Sequence, residues 1–252
     1  MKKRIIFITD CSDIAYAELR ATVFTELEKL KAQNDIEIEP VVSVVPFSII
    51  NGAFSLRLLA DSYPEGSIFS IILNPSQNRP ERILGKTVKK SFTFIGANTG
   101  VFEWFLKDFG ISELYELKDP GFLSFGGKYV HAPAVARLAA GKTFAELGNE
   151  FSIEKMRKLP LEDGTIVHID NFGLMKFIGN ISEFNEGEKL SVNVAGKELD
   201  AIYSRRMMNN DDGTWVIYPG SSLGLPELGK VRMNGAMEIR AKVGDRITLR
   251  RK

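Results

Sequence analysis

The chain predicts an α/β fold: an N-terminal α/β layer domain with a mostly parallel sheet, followed by a small C-terminal β-barrel domain. Three observations carry this expectation. Apolar runs alternate with helical periods through the first part of the chain; the helical periods then stop; and short strand-like segments between Gly, Asn and Asp turns fill the rest. Domains of 1–160 and 161–252 follow, with the boundary near Lys158-Leu159-Pro160.

Residues 5–9 form a continuous apolar run, the pattern of a strand buried on both faces, and Asp10 ends it. Ser12 and Asp13 are favoured N-caps, and Ala17, Ala21, Phe24, Leu27 and Leu30 then recur at helical spacing. A second unit begins at Ile36, Ile38 and Val41-Val42, turns at Pro46, and continues as a helix from about 49 to 59. Tyr63-Pro64-Glu65-Gly66 is a turn before another buried strand at 67–73. A strand at 92–95 ends at Gly96, a helix at 101–109 closes on Gly110, and a helix at 135–140 stops at Gly141. Beyond Gly164, strands are expected at 166–169, 190–194, 215–218 and 246–249.

Composition narrows the function. Of 252 residues, 44% are hydrophobic and 26% charged, an ordinary globular balance. Lys plus Arg is 33 against Asp plus Glu at 32, so no global field attracts nucleic acid or a membrane surface. Cys11 is the one cysteine, which excludes an intrachain disulfide and a Cys-based zinc site. Met1-Lys2-Lys3-Arg4 carries signal-peptide-like charge, but the apolar run after it is too short and Asp10 interrupts it. No stretch approaches the about 20 apolar residues of a membrane span. A soluble, cytoplasmic protein is expected.

Gly85-Lys86-Thr87 and Gly141-Lys142-Thr143 look like P-loop ends, but the earlier glycine is missing, with Pro80 and Ala136 in its place. No G-x-G-x-x-G follows the first strand. The two histidines, His131 and His168, lack metal-ligand spacing, and no metal is expected. His131 reads as a capping or surface residue. His168 and Asp170 share a strand face, either to polarise a ligand amine or to hydrogen-bond one another.

Ligands of parallel α/β sheets sit beyond the C-terminal strand ends. Three such ends carry polar residues here: Asp10, Asn74 and Asn98-Thr99. An ionised carboxylate accepts two hydrogen bonds side by side, which suits Asp10 to a ribose diol; capping the next helix is the other reading.

Thr9-Asp10, Tyr63-Pro64-Glu65-Gly66-Ser67-Ile68-Phe69, Asn74-Pro75 and Phe94-Ile95-Gly96-Ala97-Asn98-Thr99-Gly100 occur in that order. They are followed by His131-Ala132-Pro133, Ile169-Asp170-Asn171-Phe172-Gly173, Gly224-Leu225-Pro226-Glu227-Leu228 and Asn234-Gly235-Ala236. This ordered set, over nearly the whole chain, resembles the family of adenosine-forming S-adenosylmethionine hydrolases (S-adenosylmethionine hydroxide adenosyltransferases) and fluorinase and chlorinase enzymes. The resemblance implies a homotrimer taking S-adenosylmethionine as substrate or ligand in sites between subunits, with no further cofactor. It implies that Asp10 holds the ribose, that Phe47 flanks the ligand, and that Phe172 packs on the adenine. It further implies that backbone at Asn234 and Ala236 reads the adenine edge, with Asp170 on the methionine amine. Asn98 lies in the ligand-binding F-V-G-P-D-N-G-like stretch. For Phe47 and Phe172, ordinary core packing is the other reading.

The catalytic positions depart from the family pattern. Asn74 stands where the hydrolases carry Asp, Gln77 replaces the halogenase threonine, and Arg82 is the arginine candidate, with Arg79 one small shift away. The family histidine position is Gly126, and the Asn of F-G-N is Leu174. A positioned base is worth about 10²–10⁴-fold to a water attack. Three readings follow: a hydrolase with Asn74, Gln77 and Arg82 as a rearranged site, a non-catalytic S-adenosylmethionine- or adenosine-binding relative, and a binder of a different nucleoside.

Overall fold

A computed structural model describes residues 2–73, 80–118, 120–121 and 124–252. Two compact units are present, Met1–Leu159 and Pro160–Lys252.

The first unit contains β1 (Lys3–Thr9), α1 (Ile14–Lys29), β2 (Ile36–Ile38), β3 (Val42–Ser43), α2 (Ile49–Ser62) and β4 (Ile68–Ile72). It continues with β5 (Arg82–Lys86), β6 (Thr93–Ala97), α3 (Glu103–Phe109), β7 (Glu113–Leu117), α4 (Ala132–Ala139), α5 (Phe144–Leu147) and β8 (Gly148–Glu150). These strands form one sheet in the order β2-β1-β4-β6-β5-β7-β8, with β3 also paired to β1. β1 pairs in parallel with β2, β3 and β4, and β4 with β6; β5, β7 and β8 add antiparallel pairings.

The apolar run of β1 has a direct cause. Ile5 and Phe7 pack with α1 and α4 on one face, while Ile6 and Ile8 pack with α2 and α3 on the other. Phe69, Phe92, Phe94, Phe105 and Phe109 form an edge-to-face and tilted aromatic group on that second side. Helix α1 buries Leu19, Val23 and Leu27, one turn apart, rather than the expected Ala17, Ala21 and Phe24 stripe. The spacing of four aligns those three residues on the sheet and leaves Phe24 on the flank.

Segment 127–131, before α4, is a wide π turn in which Ala132 N–H bonds to Gly127 O, five residues back. Pro133 follows in the same helical winding, and the wide turn accommodates a residue that has no N–H to donate to the preceding turn. His131 lies buried at this junction rather than on the surface.

The second unit contains β9 (Ile166–Ile169), β10 (Met175–Phe177), β11 (Lys189–Val194), β12 (Lys197–Tyr203), β13 (Trp215–Pro219), β14 (Pro226–Lys230), α6 (Gly235–Ile239) and β15 (Thr248–Arg251). Its curled sheet runs β15-β11-β12-β13-β14-β10-β9, antiparallel except between β12 and β13. The strand expected at 246–249 begins two residues later, because Arg246 bridges Thr165 before β15 turns to pair with β11.

Candidate functional site

Strand order reverses around β1: β2 lies on one side and β4 on the other, which makes the C-terminal ends of β1 and β4 a topological switch point. Asp10 follows β1 there. Its Oδ2 accepts the backbone N–H of Phe47 at 2.9 Å. Phe47 has φ +63° and is exposed, so the carboxylate holds a left-handed residue at the rim. Asp13, not Asp10, caps α1, accepting Ala15 N–H at 3.0 Å. Ordinary core packing is therefore excluded for Phe47, and helix capping for Asp10.

Asn74 and Gln77, expected after β4, lie outside the described residues, as does Arg79. Arg82 opens β5, and its guanidinium lies over Gly126: a Cβ there would sit 2.7 Å from Arg82 Nη2. Gly126 has ordinary helical torsions. Its lack of a side chain therefore makes room rather than relieving backbone strain.

Asn98 is buried, with both amide protons engaged, by Glu81 at 3.1 Å and Lys155 O at 3.0 Å. Its carbonyl oxygen accepts Arg157 N–H at 2.9 Å. The residue ties the end of β6 to the chain leaving this unit.

The second unit carries a cavity of about 730 Å³ within its own residues. Across β9, β10, β14 and β13, four residues stand in register as one row: His168, Lys176, Glu227 and Tyr218. The neighbouring row, Ile169, Met175, Leu228 and Ile217, faces the hydrophobic core. Lys176 Nζ donates to Glu227 Oε1 at 2.7 Å, and the Tyr218 hydroxyl donates to Glu227 Oε2 at 2.5 Å. Lys176 is 8% exposed and Glu227 3%. Burial, then the hydrogen bond and charge of Glu227, raise the Tyr218 pKa far above the ordinary phenol value. Burial, then the Lys176 charge, hold the His168 pKa below its ordinary value, with Asp170 and Glu227 opposing.

Asp170 organises the turn from β9 to β10. Its Oδ1 accepts the N–H groups of Phe172 at 3.0 Å and Leu174 at 2.9 Å. This turn holds Phe172 at the cavity mouth, 66% exposed. An exposed aromatic on a pinned turn is a presented surface, so core packing does not account for Phe172. Asn234 caps α6 through Met237 N–H at 2.9 Å, and Ala236 N–H reaches Gly173 O at 3.2 Å. The motifs at 169–173 and 234–236 thus meet in space. Ala236 itself is buried, with its N–H already engaged.

Sequence reasoning missed Lys176, Glu227 and Tyr218 as a group. Each is an isolated polar residue in an apolar strand; the signal was their shared face, which needs the strand register to be seen.

An α/β sheet with a carboxylate at its switch point, joined to a curled sheet with its own cavity, defines a two-domain protein of the kind that holds ligands beyond parallel strand ends. Residues 5–148 match the model of the SAM hydroxide adenosyltransferase N-terminal domain, and the chain belongs to that family. It is similar to the (R)-S-adenosyl-L-methionine hydrolase of Thermus thermophilus, at 27% identity over 146 residues. That match covers 51% of this chain and 56% of the relative, about half of each. An uncharacterized conserved protein from Thermotoga maritima has the same fold, with TM-score 0.81 at 20% identity over 98% of this chain and 100% of its own. So does a conserved hypothetical protein from Thermus thermophilus, with TM-score 0.77 at 22% identity over 99% and 100%.

Proposed function

We propose that the protein binds S-adenosylmethionine and transfers its adenosyl group to water, giving adenosine and methionine. The observation that carries this reading is the switch-point position of Asp10 in a chain whose residues 5–148 match the adenosyltransferase model. Asp10 holds the ribose hydroxyls, and its grip on Phe47 N–H fixes the rim beside them. In the proposed trimer the Phe172 that offers its face to the base comes from a neighbouring subunit. Water attacks the 5′ carbon, a C–O bond forms, the C–S bond breaks, and its electron pair neutralises the sulfonium as methionine leaves. The water proton passes to solvent.

Arg82 is a cation and a donor only, so it orients groups and takes no proton. With Gly126 supplying no side chain, rate comes from alignment and desolvation. A second reading, a binder without turnover, draws on that same glycine. Assembly as a homotrimer and a cytoplasmic location belong to the proposal; light scattering after gel filtration tests the first.

The test is incubation of purified protein with S-adenosylmethionine, with and without chloride, followed by liquid chromatography with mass detection. Adenosine and methionine above the protein-free control establish hydrolysis. Intact S-adenosylmethionine together with a raised melting temperature establishes binding without turnover.

A further inference from the structure

The loop between β3 and α2 reads Val44-Val45-Pro46-Phe47-Ser48. A proline at the second position of a type II turn presets its own φ, and the residue after it takes the left-handed region. Val45 to Ser48 has that form: Ser48 N–H reaches Val45 O at 3.1 Å, and Phe47 has φ +63°. Type II turns favour glycine or asparagine at that third position, where a Cβ is crowded. Phenylalanine stands there against its local preference, so groups outside the turn must hold it.

Two side chains do so. Pro46 has no N–H, and Val44 N–H bonds to Thr9 O at 3.1 Å. The two remaining donors of the loop go to side chains: Phe47 N–H to Asp10 Oδ2 at 2.9 Å, and Val45 N–H to Asn51 Oδ1 at 3.0 Å. Asn51 is the third residue of α2, where a capping box has a Glu or Gln that reaches back to the N-cap N–H. Ser48, the N-cap, accepts Asn51 N–H at 3.2 Å. The return bond goes to Val45 instead, because the Ser48 N–H is already engaged inside the turn. Asn51 is 2% exposed, and a Cβ on the next residue, Gly52, would lie 2.8 Å from Cδ1 of Leu73, which follows β4. The start of α2 is thus packed against the end of that strand and gives the exposed loop a fixed point.

We propose that Asn51 is a positioning residue of the candidate ligand site: through Val45 N–H it fixes the turn that presents Phe47 N–H to Asp10, and so holds the Asp10 carboxylate in the orientation that a diol meets. The proposal rests on the adenosyl reading above and adds to it a residue that acts through Phe47 and Asp10.

Hydrogen exchange of the full chain, read by NMR at single amides, tests it together with calorimetric titration of S-adenosylmethionine. Asn51→Leu removes the acceptor at similar volume. The Phe47 amide should then exchange about five- to tenfold faster and S-adenosylmethionine bind about five- to tenfold more weakly, the scale of one net hydrogen bond. Asn51→Asp keeps the acceptor, at a helix N-terminus that favours a carboxylate, and should stay close to wild type in both. Coupling is reciprocal, so Asp10→Ala should speed exchange at the Val45 amide by a similar factor, which decides the matter where Asn51→Leu does not fold. Three results overturn the inference and leave the adenosyl reading standing: exchange and affinity unchanged in Asn51→Leu, Asn51→Asp as damaging as Asn51→Leu, or a Val45 amide indifferent to Asp10→Ala. A wild type that binds no S-adenosylmethionine overturns the adenosyl reading instead, and the exchange rates at Phe47 and Val45 still decide whether Asn51 and Asp10 are coupled.

Discussion

A Cβ on Gly173 would lie 2.1 Å from Asn234 Oδ1. The turn after β9 and the cap of α6 therefore meet with no room for a side chain between them, and Gly173 also has φ +80°. Gly173→Ala is expected to lose about 2 kcal/mol or more, since the left-handed backbone alone costs about 1–2. Urea unfolding measures it. In a double-mutant cycle with Asn234→Ala the losses are less than additive, because the second change removes the obstructing oxygen; full additivity would show that the two residues do not press on one another.

Asp10→Ala removes both the anchor of Phe47 and the acceptors for a ribose diol. Calorimetry should detect no S-adenosylmethionine binding, while stability falls by about 1 kcal/mol, the scale of a net hydrogen bond. Unchanged affinity would remove Asp10 from the ligand site.

The Lys176–Glu227 pair is almost wholly buried, with side-chain exposures of 10% and 4%. Either Lys176→Met or Glu227→Leu alone leaves one charge stranded, at a cost of about 3–5 kcal/mol. The two together should cost far less than either. Equal melting temperatures for the wild type and both single variants would refute the pairing.

His168 has a folded pKa below its ordinary 6.5, so the unfolded chain binds the extra proton first as acid is added. Its neutral form therefore favours the fold above about pH 6.5, and that contribution declines as pH falls through the lowered folded value. Lys176 opposes protonation, while Asp170 and Glu227 favour it. Stability curves from pH 7.5 to 5 should be flatter for His168→Gln; parallel curves would assign the acid sensitivity elsewhere.

Gly126→Ala first meets the guanidinium end of Arg82, in a helical backbone conformation any residue adopts. Stability should change by no more than about 0.5 kcal/mol. Turnover, where chromatography detects it, should fall as Arg82 is pushed aside; unaltered turnover would place Arg82 outside the reaction.

Strands buried on both faces were legible because nothing but apolar residues can occupy them: residues 5–9 and 67–73 led directly to β1 and β4. The antiparallel edge was not. β7 mixes charges with leucines, β5 carries a glycine and basic ends, and β8 is Gly-Asn-Glu, so none has the continuous or alternating pattern of a strand. Their place comes from pairing with neighbours, which tertiary context decides. At the site, Asp10 was legible as a polar end to an apolar run. The row of Lys176, Glu227 and Tyr218 was not, because register joins residues far apart in sequence.

The π turn at 127–131 holds one residue more than an α-helical turn would. Deleting one residue within it would restore α winding and leave the residues on either side in phase, whereas a deletion within α4 would swing Gly126 by about 100° around the helix axis. Gly126 would then leave Arg82, though neither residue had been altered. Chain length in α4 is thus itself a determinant of where Gly126 lies, and a one-residue gap there in a related sequence separates it from Arg82 while a gap inside the π turn does not.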